Sequence, residues 1–479
     1  MRRTTSVRSY WGPDLGLGLG LGLGLGLGAS ACGGAAEPPS APMDGSGSDG
    51  GGTASPPSTS ASADETTTGS VVEPSVTYHA HMRPLFERNC VACHQPGNIG
   101  PFSMTSYEEV FALREAIMLS IDAGTMPPWL AGPDCQEYLG EPSLTDEEIE
   151  QVRDWLDEGA VEGDPDDYVA PEVPPPVGVS RVDLTLELPE PYMPQLQPDD
   201  YRCFLIEWPY DQTAYVSGFA AVPDQLHMVH HMIAFNVVPQ QVAEYEALDA
   251  ADPGPGYTCF GGPGGTIDPL DPNSIGNWLG SWAPGAFAGD YPEGTGIPVQ
   301  PGSMVALQVH YNTAVDEIVP DQSAVIFKVD TEVERPAAML LWADPEWVTG
   351  QMPIPAGEAE VTHTFELDPT PFMDFITDVI PPGEPFVVYS AGHHMHTLGT
   401  RARQSIGRAD GNETCLLDVP RWDFNWQQGY RFAEPVVFHP GDSLRMTCEW
   451  NNEAGEQDVN WGDGTGDEMC LGIFYATAM

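Results

Sequence analysis

Histidine is scarce in this sequence, twelve residues among 479, yet it is clustered. His230 and His231 are adjacent in HMVHHMIAF, His310 lies in ALQVHYNT, and His393, His394 and His396 share the stretch AGHHMHTLG. Neutral imidazole suits Cu, Zn and Fe. The apolar run Pro385–Tyr389 leads into the last group as a strand. His394 and His396, two apart on its continuation, point to one face and make half of a metal site. His230 and His231 face opposite ways on a regular strand. Sharing a metal therefore demands a bulge, a strand end or the use of different ring nitrogens. His310, ending an apolar run, is the candidate third imidazole. For His394 and His396 the candidate partner is Met469 in GDGTGDEMCLG. A thioether beside two imidazoles favours copper, Cu(I) in particular, over zinc. His363 and His439 stand alone and read as structural; His227 and His393 lie beside the clusters and are not taken as ligands.

A second chemistry sits upstream. Cys90-Val91-Ala92-Cys93-His94 is the CxxCH signature of covalent haem, with two thiols for thioether bonds and an adjacent imidazole for the iron. Met126, in GTMPPW, is the candidate sixth ligand, because the prolines at 127 and 128 hold an extended loop that can present its sulfur; Met104 is the competitor. A thioether ligand raises the haem potential.

The elements that must position these groups fall into blocks. Residues 1–32 read as an export leader, with Arg2, Arg3 and Arg8 ahead of a Leu-Gly repeat and a small-residue exit at Cys32. A lipid anchor on Cys32 is the expected membrane link, although Ala29 stands where such a signal usually has Leu. Residues 33–74, rich in Gly, Ser, Pro and acid, form a linker that cannot build a core. Residues 75–165 read as a small all-α unit, with helices over Tyr107–Asp122 and Leu144–Gly159, the second capped by Thr145. Residues 166–180 are a Pro-rich connector. From Arg181 onward short alternating or apolar runs predict β-sandwiches. The length suits two, 181–330 and 331–479, with 251–292 as a long Gly/Pro/Asp-rich loop.

The charge excludes one class of function. Asp and Glu number 71 against 17 Lys and Arg, a formal net charge of -54. That field repels nucleic acid and anionic membrane surfaces. With Cys32, Cys90 and Cys93 accounted for, Cys135, Cys203, Cys259, Cys415, Cys448 and Cys470 remain of nine cysteines. An even remainder in an exported chain predicts up to three disulfides, in one of roughly 15 pairings.

Two resemblances add to this. CVACHQPG, GTMPPW and LTDEEIEQVRDWLDEGA resemble small class-I-like cytochromes c. Asp199–Phe204, Val229–Met232, Leu307–Tyr311, His394–Gly399 and Asp467–Cys470, in that order, resemble the copper type II, ascorbate-dependent monooxygenases over about Arg181–Met479. The resemblance implies two jelly-roll-like sandwiches facing across a solvent-filled cleft, with one copper on each. His230, His231 and His310 would hold an electron-transfer copper; His394, His396 and Met469 would hold the copper that binds O2 and faces the substrate. It also implies disulfides Cys203–Cys259 and Cys448–Cys470, and leaves Cys135 and Cys415 unassigned. The activity implied is hydroxylation of an activated C–H of a small organic molecule, with ascorbate or another donor as reductant. The haem would pass electrons to the His230/His231/His310 copper, the shared chain raising its effective concentration. Gly392, two before His394, stands where the peptide-amidating members place a carboxylate-binding Arg, which argues against a peptide substrate. The competing reading is a haem or copper electron carrier without hydroxylase activity.

Overall fold

The computed structural model describes residues 75–96, 100–171, 178–259, 262–265, 277–283, 288–315, 317–462 and 464–479. The expected leader with Cys32, the linker 33–74 and residues 172–177 of the connector lie outside them. Among the described residues no helix is long and apolar enough to cross a membrane.

Three helices, α1 (Arg83–Asn89), α2 (Tyr107–Asp122) and α3 (Asp146–Asp157), form the helical unit. Both longer helices begin with a reciprocal cap. Ser106 and Glu109 bond each other's backbone N–H at α2, and Thr145 and Glu148 do so at α3. These caps satisfy donors that a helix start otherwise leaves open. Val110, Ile117 and Ile121 of α2 meet Val152 and Trp155 of α3 and Leu85 and Phe86 of α1 in one buried cluster.

The rest is β-structure. The strands that matter for the site are β1 (Asp199–Glu207), β2 (Val229–Val237), β3 (Met304–Asn312), β4 (Phe386–His394), β5 (Gly399–Gly407), β6 (Glu413–Val419), β7 (Gly429–Phe438), β8 (Ser443–Trp450) and β9 (Leu471–Ala478). A five-stranded sheet runs Tyr257–Thr258, β1, β3, β2, Asn277–Trp282, and a four-stranded sheet runs Val361–Leu367, β8, β5, β6. Both pack on one nine-stranded sheet that passes through the two halves of the chain, joined where Arg335 and Pro336 pair in parallel with Thr295 and Gly296. Two large cores result, beside a smaller cluster around Phe235, Tyr245 and Tyr257. Phe204, Val309 and Phe327 centre the first; Phe386, Met446, Trp450 and Phe474 centre the second. The inner sheet is shared, so the two sandwiches are continuous rather than separate bodies. The stretch 251–292, read as loop, also carries structure: a helix over Val242–Ala251 runs into it, and Asn277–Trp282 completes the five-stranded sheet.

All three disulfides form. Cys203–Cys259 and Cys448–Cys470 are the pairs implied by resemblance, and the third joins Cys135 to Cys415, 280 residues apart. That third bond marks a larger feature. Residues 129–139 leave the helical unit and lie along the C-terminal sandwich. Tyr138 bridges to Phe432, Leu139 N–H donates to the Arg431 carbonyl, and Gly132 N–H donates to that of Asp418. Leu130, Ala131 and Tyr138 are buried in the C-terminal core, with Trp129 packed edge-on to Tyr430. The helical unit is therefore built onto the second sandwich and does not hang from it by a loose tether.

Candidate functional site

In the first sandwich β2 pairs with β3 so that Val229 opposes Tyr311 and His231 opposes His310. The register shifts between Val229 and His231, leaving His230 on a bulge. The extra residue breaks the alternation of faces, which is the distortion that two adjacent histidines at one metal require. One ring nitrogen from each of His230, His231 and His310 lies within 4.8 Å of the others. His231 Nδ1 and His310 Nδ1 stand 3.4 Å apart. His310 is held from behind: Asp199 Oδ1 accepts from its Nε2 at 2.9 Å, and Tyr201 stacks on its ring at 3.9 Å. The bond to Asp199 puts the proton on Nε2 and leaves the Nδ1 lone pair facing the cluster. Buried His230 Nδ1 has no hydrogen-bond partner. Burial, then the neighbouring histidines, holds His230 down to about 4 and His231 well below the usual imidazole range. These rings are neutral at pH 7 and present lone pairs to a common point.

Removing the carboxylate behind His310 should matter for metal but not for the fold. Asp199→Ala is expected to weaken copper binding at this cluster by ~10–100-fold, measured by competition with a copper chelator. Unchanged affinity would take Asp199 out of the site.

In the second sandwich β4 ends at His394, opposite Leu471 of β9, and His396 follows just beyond. Their Nε2 atoms face each other at 3.2 Å. Again the outer nitrogens are occupied. His394 Nδ1 donates to Gln427 Oε1 at 2.6 Å, and His396 Nδ1 donates to the Asp467 carbonyl at 3.0 Å. Both Nε2 atoms then carry lone pairs aimed together, a geometry that repels unless a cation lies between them. Burial, ahead of every other cause, holds His394 down to about 3 and His396 below its usual value. The half-buried Met469 lies two residues before Leu471, the cross-strand partner of His394. Glu468 beside it is fully buried. Its carboxylate accepts from His396 N–H at 2.9 Å, Leu398 N–H at 2.6 Å and Trp450 Nε1–H at 2.9 Å. The imidazole donors at both places fit copper ions.

The other histidines fall elsewhere. His393 faces away from its neighbours, buried against Gln404; His227 bonds the Glu317 carbonyl, and His363 the Pro353 carbonyl. His393 gives a pH test. Burial dominates and lowers it to about 3, while Asp418 and the Leu417 carbonyl pull the other way. The unfolded chain takes up this proton first, so its contribution is present above pH 6.5 and is lost as pH falls from there towards 3. The loss runs at up to about 1.4 kcal/mol per pH unit. Buried Asp321 and Glu468, both raised, act in the opposite sense. Urea midpoints of metal-free protein between pH 7 and 5 should therefore fall less steeply in His393→Asn than in the parent. Equal slopes would show that His393 does not titrate on unfolding.

The two clusters adjoin. The Phe424 ring stacks on His230, centroids 5.0 Å apart, and meets His396 edge-on at 6.0 Å. Thr465, from the loop before Met469, donates to Asp199 at 3.0 Å. An aromatic ring and a hydrogen bond thus span the interval expected to be an open, solvent-filled cleft. Sequence reading did not single out Phe424, Gln427, Asp199 or Glu468 for these roles. Only Asp199 and Glu468 lay inside blocks already noted for their likeness to a family.

In the helical unit Cys90 and Cys93 are both free thiols, and His94 N–H bonds the Cys90 carbonyl, closing a turn just past α1 that holds all three residues. Buried His94 turns its Nδ1 to the Phe102 carbonyl at 3.2 Å, which leaves Nε2 outside that bond. Met104 is packed into the helical core, whereas Met126, just past α2, is 40% exposed.

Comparison with known proteins bears on the family of the chain. The family model "Copper type II ascorbate-dependent monooxygenase, N-terminal domain" matches residues 184–317, and its C-terminal counterpart matches 348–478. Human dopamine beta-hydroxylase is 27% identical over 312 residues, covering 62% of this chain and 49% of that protein. Mouse peptidyl-glycine alpha-amidating monooxygenase is 26% identical over 311 residues, 62% of this chain and 27% of that protein. Tyramine beta-hydroxylase of Caenorhabditis briggsae is 23% identical over 320 residues, 62% and 50%. The chain spans about half or less of the length of these relatives. The two domain models, in order and together covering more than half of the sequence, show that the chain belongs to the copper type II ascorbate-dependent monooxygenase family.

Proposed function

We propose that the chain is a copper monooxygenase that hydroxylates an activated C–H of a small organic substrate with O2, taking electrons from ascorbate or another donor. His230, His231 and His310 would hold one copper and His394, His396 and Met469 the other. Bound there, copper supplies one-electron redox chemistry and, at the second site, activation of O2. The observation that carries the reading is the double convergence of lone pairs: Nδ1 on Nδ1 in the first sandwich and Nε2 on Nε2 in the second, each outer nitrogen described being pinned by an oxygen acceptor.

The chain's own groups have defined tasks. Asp199, Gln427 and the Asp467 carbonyl fix tautomers and ring directions. Phe424 stands between the clusters, in contact with a ring of each. Burial keeps His230, His231 and His394 neutral, so metal binds them without displacing a proton. Gly392 lies next to Gly429 and Ile473, where a Cβ would fit in ordinary contact, and carries no side chain, which disfavours a substrate held by its carboxylate at this position. A small organic substrate is therefore the reading over a peptide.

Covalent haem belongs to the same reading. Cys90 and Cys93 would form the thioethers and His94 would bind the iron, supported by the free thiols and the oriented imidazole. Met126 is the sixth ligand of choice, since Met104 is already committed to the helical core. Haem there would supply a one-electron relay for the first copper, reduced in turn by an external donor. Export, with a lipid anchor at Cys32, is proposed from the leader alone.

The test pairs metal analysis with isotope incorporation. Copper-replete protein should carry two coppers and one haem per chain, and should place label from 18O2 into a product when small organic candidates are screened with reductant. Far less than two coppers, or label in no product, would favour the electron-carrier alternative.

A further inference from the structure

One segment touches the helical unit and both histidine clusters. It is the loop between β6 and β7, Arg421–Gln427. Arg421 Nη2 donates to the Gly124 carbonyl at 3.1 Å, two residues from Met126. Trp422 Nε1 donates to the His396 carbonyl at 3.1 Å, and Trp422 N–H to that of Thr400. Phe424 lies on His230 and against the edge of His396. Gln427 accepts from His394 Nδ1. The strap 129–139 that leaves the helical unit is fixed to the two strands flanking this loop by the Cys135–Cys415 bond and the Tyr138–Phe432 bridge, and by the burial of Leu130 and Ala131.

We propose that Arg421–Gln427 is the electron path from the helical unit to the His230/His231/His310 cluster. It enters at the Gly124–Arg421 hydrogen bond and leaves through the Phe424 ring to His230. The inference rests on the haem and copper assignments made above and adds the route. With both groups bound, one electron would pass from ferrous haem, left ferric, to a cupric ion held by the cluster, left cuprous. An external one-electron donor restores the haem. No proton moves and no bond is made or broken.

The physical case is continuity. Electron tunnelling decays steeply across gaps and less so along covalent chain, hydrogen bonds and packed aromatic rings. From Gly124 to His230 this route crosses one hydrogen bond, the Arg421 side chain, a four-residue run of chain from Arg421 to Phe424, and one ring contact. The rigid docking also explains why a flexible tether is unnecessary. The relevant geometry is set by a disulfide and a core, not by linker length. Phe424 and Arg421 are not expected to hold metal; their place is between the groups that do.

The test uses the full chain, copper-loaded and oxidised at copper, with the haem reduced by a flash-generated donor under argon. Haem absorbance is followed with time. In the parent, reoxidation should be first order, with a rate independent of protein concentration. Phe424→Leu should slow it by an order of magnitude or more, with haem content, copper content and the cupric EPR spectrum unchanged. Arg421→Ala, remote from the ligands, should slow it as well, and decides the matter if Phe424→Leu disturbs copper binding. Cys135→Ser should slow it through looser docking. A parent rate that scales with protein concentration overturns the proposal, as do Phe424→Leu and Arg421→Ala rates equal to the parent's. Parent protein lacking haem or copper overturns the underlying assignment and the route with it. Fast, concentration-independent transfer that ignores the loop variants leaves the assignment standing and removes only the route.

Discussion

His396→Ala is expected to abolish hydroxylation and to lower copper from two ions per chain to one. The loss should exceed the ~10–100-fold that follows removal of a group standing behind a ligand, because His396 is itself one of the two imidazoles whose Nε2 atoms meet at 3.2 Å. One imidazole and a thioether leave a site short of donors, and a copper ion bound there would lose both affinity and the geometry needed for O2 chemistry. The first cluster should keep its copper, since none of its three rings bonds His396 and His310 is held by Asp199 and Tyr201. The measurement is copper stoichiometry together with turnover under one reductant. Gln427→Ala provides the scale: it removes only the acceptor of His394 Nδ1, and should cost about 10–100-fold in affinity or rate. If His396→Ala keeps two coppers and turns over, the pair His394/His396 is not a metal site, and the assignment of the second sandwich fails.

How far the sequence reveals this arrangement depends on whether a feature is local. The strands carrying the first cluster are legible because both are buried: Val229–Val237 and Met304–Asn312 are apolar runs. Their bulge is legible too, since adjacent histidines at one metal cannot sit on a regular strand. The capping boxes of α2 and α3 lie within four residues and can be read directly. Three strands of the second sandwich cannot. β5 and β6 carry Arg401 and Arg403 opposite Asp418 and Glu413, an ion-paired outer face whose polar residues resemble loop. β7 contains Glu434 and Pro435 beside an irregularity in the pairing of β4. The strap 129–139 reads as part of the helical stretch, because the contacts that place it come from residues near 415 and 432. Phe424 and Gln427 reach the histidines only through tertiary folding. Nothing in their spacing from His230 or His394 announces the contact. Continuity of the inner sheet likewise turns on two parallel pairs between Thr295–Gly296 and Arg335–Pro336, which no periodicity encodes.

The other large effect should come from a residue that touches no metal in the proposed site. Glu468→Ala is expected to destabilise the protein by about 3–5 kcal/mol and to detach Met469 from the second site. Glu468 is fully buried, and burial raises its carboxyl above the usual range despite the donors around it. Those donors are His396 N–H, Leu398 N–H, Trp450 Nε1–H and the Met469 N–H. Alanine would leave them without an acceptor in a site closed to solvent, at ~1–3 kcal/mol for each buried group left unsatisfied. The same carboxylate fastens the turn carrying His396 to the chain carrying Met469, with Trp450 of β8 as the fixed point. Its loss should therefore alter geometry as well as stability. Glu468→Gln keeps the volume and one good acceptor but turns an N–H₂ group towards donors, so it should fall between parent and alanine in both readouts. Urea midpoints measure the stability. X-ray absorption at the copper edge measures the sulfur: its scattering contribution should weaken in Glu468→Gln and vanish in Glu468→Ala at temperatures where the variant is still folded. A Glu468→Ala protein that loses stability yet keeps full sulfur ligation would confine Glu468 to the core. Retention of both would mean that the clamp between His396 and Met469 is not what aligns the site.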